Sequence, residues 1–236
     1  MKPYTIAYHH ATWHGVLTAV HIPDSRDPVP EPILNQLAPA ERAIAKEYGG
    51  YRQVQFVGGR LALRHACLQL GTTPVALTST PRGAPILPKG LAGSISHKRA
   101  LAVGLVTRDR GFTVGVDLEE YGPARLSIIN RVLTEEEIST LEGLGDEERW
   151  ISTVLRFSIK EAIYKALDPW VQRYVDYKEA IVHTDLEGGA RVRLALKQDE
   201  GPFEVDVRYT WLRGRIVSTA RIRLAQGADH PVPSRI

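Results

Sequence analysis

Between Val114 and Glu119 the chain alternates strictly, with Val114, Val116 and Leu118 apolar and Gly115, Asp117 and Glu119 set against them. A period of two belongs to an extended strand, which buries the valines and leucine and projects Asp117 and Glu119 together from the other face. Downstream, Phe157-Ser158-Ile159-Lys160-Glu161-Ala162-Ile163-Tyr164-Lys165-Ala166 changes the period. Phe157, Ala162, Ile163 and Ala166 mark an apolar helical stripe, while Glu161 and Lys165 lie one turn apart on a common face. The chain therefore has to combine strand and helix in one core, with acids on both.

Two unscreened carboxylates about 4 Å apart repel by roughly 4 kcal/mol at an effective dielectric near 20, so such acids bind metal, bind a proton or splay apart. A hard divalent cation takes oxygen ligands and keeps positions open for water and phosphates. A D-x-E strand also suits a solvated sheet edge, and K-E-A suits an exposed helix face. Spacing alone leaves both readings open.

Three upstream segments carry further candidates: Gly58-Gly59-Arg60-Leu61-Ala62-Leu63-Arg64, Pro81-Arg82-Gly83-Ala84-Pro85-Ile86-Leu87-Pro88, and Gly93-Ser94-Ile95-Ser96-His97. Arg60 and Arg64 share a helical face from which guanidinium groups grip phosphate bidentately, although exposed helical arginines ordinarily just solubilise. The small residues at 93 to 96 let a backbone approach a ligand, and His97 adds an imidazole able to donate to phosphate.

In this order, over roughly residues 50 to 185, the segments resemble the 4′-phosphopantetheinyl transferases of the two-lobed, single-chain type that activates siderophore, peptide and polyketide synthases. The resemblance implies an α+β fold, a pseudo-twofold pair of similar lobes with the active site between them. It implies Mg2+, with Mn2+ able to substitute, held by Asp117, Glu119 and Glu161. Glu161 and Lys165 would be catalytic, and Lys160 and Lys165 would stand beside the pyrophosphate of the substrate, coenzyme A. Arg60, Arg64, Arg82, Ser96 and His97 would hold its nucleotide end. Many relatives carry tryptophan where this chain has Phe157, a change that preserves the aromatic anchor. The implied reaction moves 4′-phosphopantetheine to a serine of an apo-carrier protein from a fatty-acid, polyketide or peptide synthase, releasing adenosine 3′,5′-bisphosphate. A coenzyme A pyrophosphate hydrolase and an inactive carrier-binding scaffold are the alternatives.

The 236 residues suffice for one sizeable core or two small lobes. Prolines at 23, 28, 30 and 32 break the early chain, helices are expected after Ala38-Pro39 and from Val54 to Leu70, and antiparallel strands from 180 to 225. A boundary near residue 111 divides an N-terminal lobe, 1–111, from a C-terminal lobe, 112–226, with a flexible tail at 227–236. A faint repeat lays Phe56–Arg64 over Phe157–Lys165. The formal charge of +3 fits an acidic partner, but no basic block with interleaved aromatics suggests nucleic acid. Cys67 is the only cysteine, which excludes an intrachain disulfide. Neither a leader nor a membrane-length apolar run is visible, so a cytoplasmic monomer is expected.

Overall fold

The computed structural model describes residues 2–108, 110–197 and 200–225, and divides the chain into two compact units, Met1–Arg110 and Gly111–Ile236. The tail expected at 227–236 lies outside the described residues. No described helix is long and apolar enough to cross a membrane.

The first unit opens with a hairpin, β1 (Ile6–Thr12) and β2 (Gly15–His21), followed by α1 (Glu31–Leu34), α2 (Pro39–Glu47) and the long α3 (Gly50–Gln69). It closes with β3 (Leu91–Lys98) and β4 (Leu101–Arg108), giving an antiparallel sheet in the order β1-β2-β4-β3. Helix α3 buries Val57, Leu61 and Ala62 against Val20, Ile22 and Ala102 of the sheet side. Burying each such aliphatic side chain is worth about 1.5–3 kcal/mol. Strand β3 contains the segment Gly93–His97, whose small residues carry little strand propensity. It is extended because it pairs residue for residue with the strongly apolar β4, Ser96 opposite Val103 and His97 opposite Ala102.

The second unit begins with β5 (Thr113–Glu120), a turn at Leu126–Ile128, α4 (Ile129–Val132) and α5 (Glu135–Ser139). The 26-residue α6 (Asp146–Val171) follows, then a turn at Tyr177–Glu179, the small hairpin β6 (Ala180–Thr184) with β7 (Ala190–Leu194), and the long hairpin β8 (Phe203–Leu212) with β9 (Arg215–Leu224). The main sheet runs β5-β9-β8, antiparallel throughout. Ile159, Ala162, Ile163 and Ala166 of α6 join Ile216, Ala220 and Ile222 of β9 in its core. A Cβ at Gly115 would lie 1.9 Å from the Ala162 carbonyl oxygen, so only glycine allows α6 to come this close to β5.

Both units follow one plan: the strand before the long helix pairs with the unit's last strand, which pairs with its own hairpin partner, β2-β4-β3 and β5-β9-β8. A buried clamp is also repeated. Glu41, third residue of α2, accepts from the Ala38 amide at 2.7 Å, the Arg64 guanidinium at 2.6 Å and the Leu77 amide at 3.0 Å. Glu137, third residue of α5, accepts from the Thr134 amide at 2.7 Å, Lys160 Nζ at 2.7 Å and the Val182 amide at 2.9 Å. Each acid stands 23 residues before its cation. One turn before each cation, a buried arginine donates to the carbonyl of the same strand-like segment, Arg60 to Thr78 and Arg156 to Val182. The clamps thus match Arg60 with Arg156 and Arg64 with Lys160. The overlay of Phe56–Arg64 on Phe157–Lys165 stands five residues from this match, since it sets Arg64 on Lys165 rather than on Lys160.

Candidate active site

Helix α6 and strand β5 run antiparallel in contact along their length. At one end Thr113 Oγ1 donates to the Ala166 carbonyl at 2.6 Å and accepts from Trp170 Nε1 at 2.8 Å. At the other, Trp150 Nε1 donates to the Gly122 carbonyl at 2.8 Å. Nine strand steps and some twenty helical steps both span about 30 Å, so the two rows of side chains stay in step. Thr113, Gly115, Asp117 and Glu119 share the face toward α6, and this registry brings Asp117 within reach of Lys165, one turn from Glu161. The alternation in the sequence anticipates this face correctly.

Asp117 is buried, and Lys165, whose side chain is 30% exposed, donates to its Oδ1 at 2.8 Å and to the Val116 carbonyl at 3.0 Å. Glu119 is half-buried two residues on. Glu161, one turn before Lys165, is half-buried and receives the Tyr177 hydroxyl on Oε1 at 2.5 Å. Burial first, and then this bond, raise the Tyr177 pKa well above that of a free phenol, which keeps the hydroxyl protonated. Among the described residues, no three acids, histidines or cysteines are gathered into a ready-made cation cage. The donor type nevertheless suits a hard cation, being carboxylate alone. Ser218, opposite Asp117 on β9 and so on the same face, carries a buried Oγ without a partner among the described residues, an oxygen that an added polar ligand would satisfy. The residues therefore fit Mg2+ in donor chemistry, with lysine and tyrosine engaging two of the three acids.

Lys160 has to be withdrawn from the ligand set. Its side chain is fully buried, and its three N–H donors go to Glu137 Oε2 at 2.7 Å, the Val132 carbonyl at 2.9 Å and the Tyr177 carbonyl at 2.8 Å. An ammonium has three donors, so none is left for a pyrophosphate. Burial lowers its pKa, with Glu137 opposing that effect.

In the first unit the expected basic residues divide into two groups. Arg60 is buried, lies 4.5 Å from the centre of the Phe56 ring and binds the Thr78 carbonyl and Ser79 Oγ. Burial lowers its pKa to about 10. Arg64 spends its two terminal nitrogens on Glu41 and the Pro74 carbonyl, the latter at 2.8 Å. Both arginines thus hold the segment after α3, Arg60 through Nη2 alone, while the Nε of each meets no partner among the described residues. What Arg60 holds is the base of a tight loop. Thr80 and Ala84 close it by a 2.8 Å backbone bond, and Gly83, at φ 89°, turns it. Arg82 is exposed at the tip of that loop. His97 is exposed near the β3–β4 turn, while the neighbouring Ser96 is buried. Arg82 and His97 therefore remain as accessible groups for an anionic ligand.

The late arginines are largely neutralised within their own unit. Arg193 pairs with Glu136, Arg208 and Arg221 with Asp206, Arg215 with Glu120, and Arg223 with Glu204. Tyr177 is the functional candidate that sequence reasoning missed. Its signal was the Asp176-x-x-Glu179 capping pattern, which fixes a turn directly after α6.

Residues 40–107 match the family model described as the 4′-phosphopantetheinyl transferase N-terminal domain, and residues 113–220 match that of the 4′-phosphopantetheinyl transferase superfamily. The chain is 32% identical over 163 residues to 4′-phosphopantetheinyl transferase Npt of Nocardia iowensis, a match covering 64% of this chain and 68% of that one. It is 30% identical over 167 residues to 4′-phosphopantetheinyl transferase Svp of Streptomyces mobaraensis, covering 69% and 65%. With enterobactin synthase component D of Salmonella typhi it shares 31% over 120 residues, covering 50% and 49%. Among solved structures, a holo-(acyl-carrier-protein) synthase from Bacillus anthracis in complex with coenzyme A aligns at a TM-score of 0.39 and 20% identity, over 48% of this chain and 96% of that one.

Proposed function

The chain belongs to the 4′-phosphopantetheinyl transferase superfamily, and on that premise we propose that it moves 4′-phosphopantetheine from coenzyme A to a serine of an apo-carrier protein in the cytoplasm. The observation that carries the residue assignment is the meeting of Lys165 with Asp117, on the face that β5 presents to the helix bearing Glu161. A cation and several acids at one spot suit a reaction in which a pyrophosphate is bound and a phosphate leaves.

In this reading Asp117, Glu119 and Glu161 would hold Mg2+. The bound ion would supply charge neutralisation for the pyrophosphate oxygens. The serine oxygen forms a bond to the phosphorus that bears pantetheine, and the bond from that phosphorus to the oxygen of the bisphosphate breaks. Glu161 takes the serine proton, directly or through water. Lys165 turns from Asp117 toward the leaving phosphate and stabilises its charge as adenosine 3′,5′-bisphosphate departs. Arg82 and His97 orient the nucleotide end, supplying position rather than chemistry.

Incubation with labelled coenzyme A and a panel of apo-carriers tests the proposal by mass shift. The wild type should add one phosphopantetheine to a carrier. Asp117→Ala and Glu161→Ala should add none while still unfolding in one cooperative transition. Release of free phosphopantetheine would identify a hydrolase instead, and neither product would leave only a carrier-binding role. Near-normal transfer by either variant would remove the acids from the mechanism.

A further inference from the structure

We infer that Tyr177 is a positioning residue that aims the Glu161 carboxylate, an inference that rests on the proposed role of Glu161 as a cation ligand. A glutamate side chain that is only half-buried ordinarily samples several rotamers, and fixing it costs entropy. Here the Tyr177 hydroxyl takes one lone pair of Oε1 at 2.5 Å, which leaves Oε2 as the unencumbered oxygen for a cation. The direction of that second oxygen is therefore set by where the phenol stands.

The phenol is held by a chain of contacts that reaches back to the buried clamp of Lys160 and Glu137. Its ring packs against Phe157 at 5.5 Å and Tyr164 at 5.6 Å between centroids. Its own carbonyl is gripped by Lys160 Nζ at 2.8 Å, and the preceding carbonyl, of Asp176, by the Tyr164 hydroxyl at 2.9 Å. Glu179 closes the turn from the other end, accepting from the Asp176 amide at 2.9 Å and from Arg173 at 2.6 and 3.0 Å. Lys160 is anchored in turn by Glu137. The lysine expected to touch substrate thus acts two steps away: the buried pair fixes the turn, the turn fixes the phenol, and the phenol orients the acid. This is the arrangement by which groups outside the ligand sphere tune a hard-cation site.

The test is Tyr177→Phe in the full chain, which keeps the ring packing and removes one hydroxyl. Mn2+ binding is measured by calorimetry without substrate, beside kcat, the KM for coenzyme A and the thermal midpoint. Mn2+ affinity and kcat should each fall about tenfold, with the coenzyme A KM within about twofold because the nucleotide contacts are untouched. Should wild type and variant bind Mn2+ equally and turn over equally, the inference is overturned while the cation assignment stands. A wild type that binds no Mn2+ defeats the cation assignment, and this inference with it. A variant whose KM alone rises would show that the phenol contacts substrate, which also overturns the positioning role.

Discussion

Replacing Lys160 with methionine separates the architectural reading of this lysine from a ligand-binding one. The side chains of Lys160 and Glu137 are both fully buried. Removing the cation leaves a carboxylate without its charge partner in the interior, which typically costs about 3–5 kcal/mol. The Val132 and Tyr177 carbonyls lose their donor as well, so the upper part of that range is expected. Against a total stability of about 5–15 kcal/mol this is a large fraction. At roughly 2–4 °C per kcal/mol for a chain of this size, the midpoint should drop by roughly 8–20 °C. Urea and thermal unfolding of the wild type, Lys160→Met, Glu137→Gln and the double variant supply the check. Glutamine keeps an acceptor for the Val182 amide while removing the charge, so the double variant should recover about 1–3 kcal/mol relative to the sum of the singles. If Lys160→Met unfolds within about 1 kcal/mol of wild type while the KM for coenzyme A rises sharply, the lysine reaches substrate and the buried-clamp argument is wrong.

Two further perturbations probe other parts of the second unit. Gly115→Ala would place a methyl 1.9 Å from the Ala162 carbonyl, so α6 must lift from β5 at a cost of about 3 kcal/mol or more. Unfolding should show that loss, and transfer should fall with it because Lys165 is carried away from Asp117. The Glu179 carboxyl is raised by burial but lowered more strongly by Arg173 and by the Asp176 and Lys197 amides, ending near 2 rather than 4.5. A carboxylate lowered on folding stabilises the native state fully above 4.5, and that contribution disappears as pH falls toward 2. Unfolding at stepped pH should therefore show roughly 3 kcal/mol of stability lost across that window, and Glu179→Gln should flatten the curve there.

Much of this was legible from the sequence because alternation and periodicity report which side of an element is buried. Val114 to Glu119 formed the expected strand, and Phe157 to Ala166 formed part of the expected helix. What the pattern could not reveal was which charges go inside. Lys160 stands beside Glu161 in a run that reads as a polar helix face, yet one is fully buried and the other half-exposed. Their fates are decided by Glu137, 23 residues upstream, and local spacing carries no information about a partner that distant. The bonds that Arg60 and Arg64 make to the segment after α3 were hidden for the same reason, since guanidinium groups suit buried clamps as well as phosphates. His97 lay in a strand that its own small neighbours do not encode, made extended by pairing with β4.

The repeated clamp also separates what this chain needs to stay folded from what it is at liberty to alter. In the match set by the clamps, the positions after Arg64 and Lys160 are His65 in one unit and Glu161 in the other. Adjacent residues on a helix point about 100° apart, so one position can remain locked in the interior while its neighbour faces solvent or ligand. Fastening and chemistry therefore sit on neighbouring positions that do not share a task, and either can be exchanged without asking anything of the other.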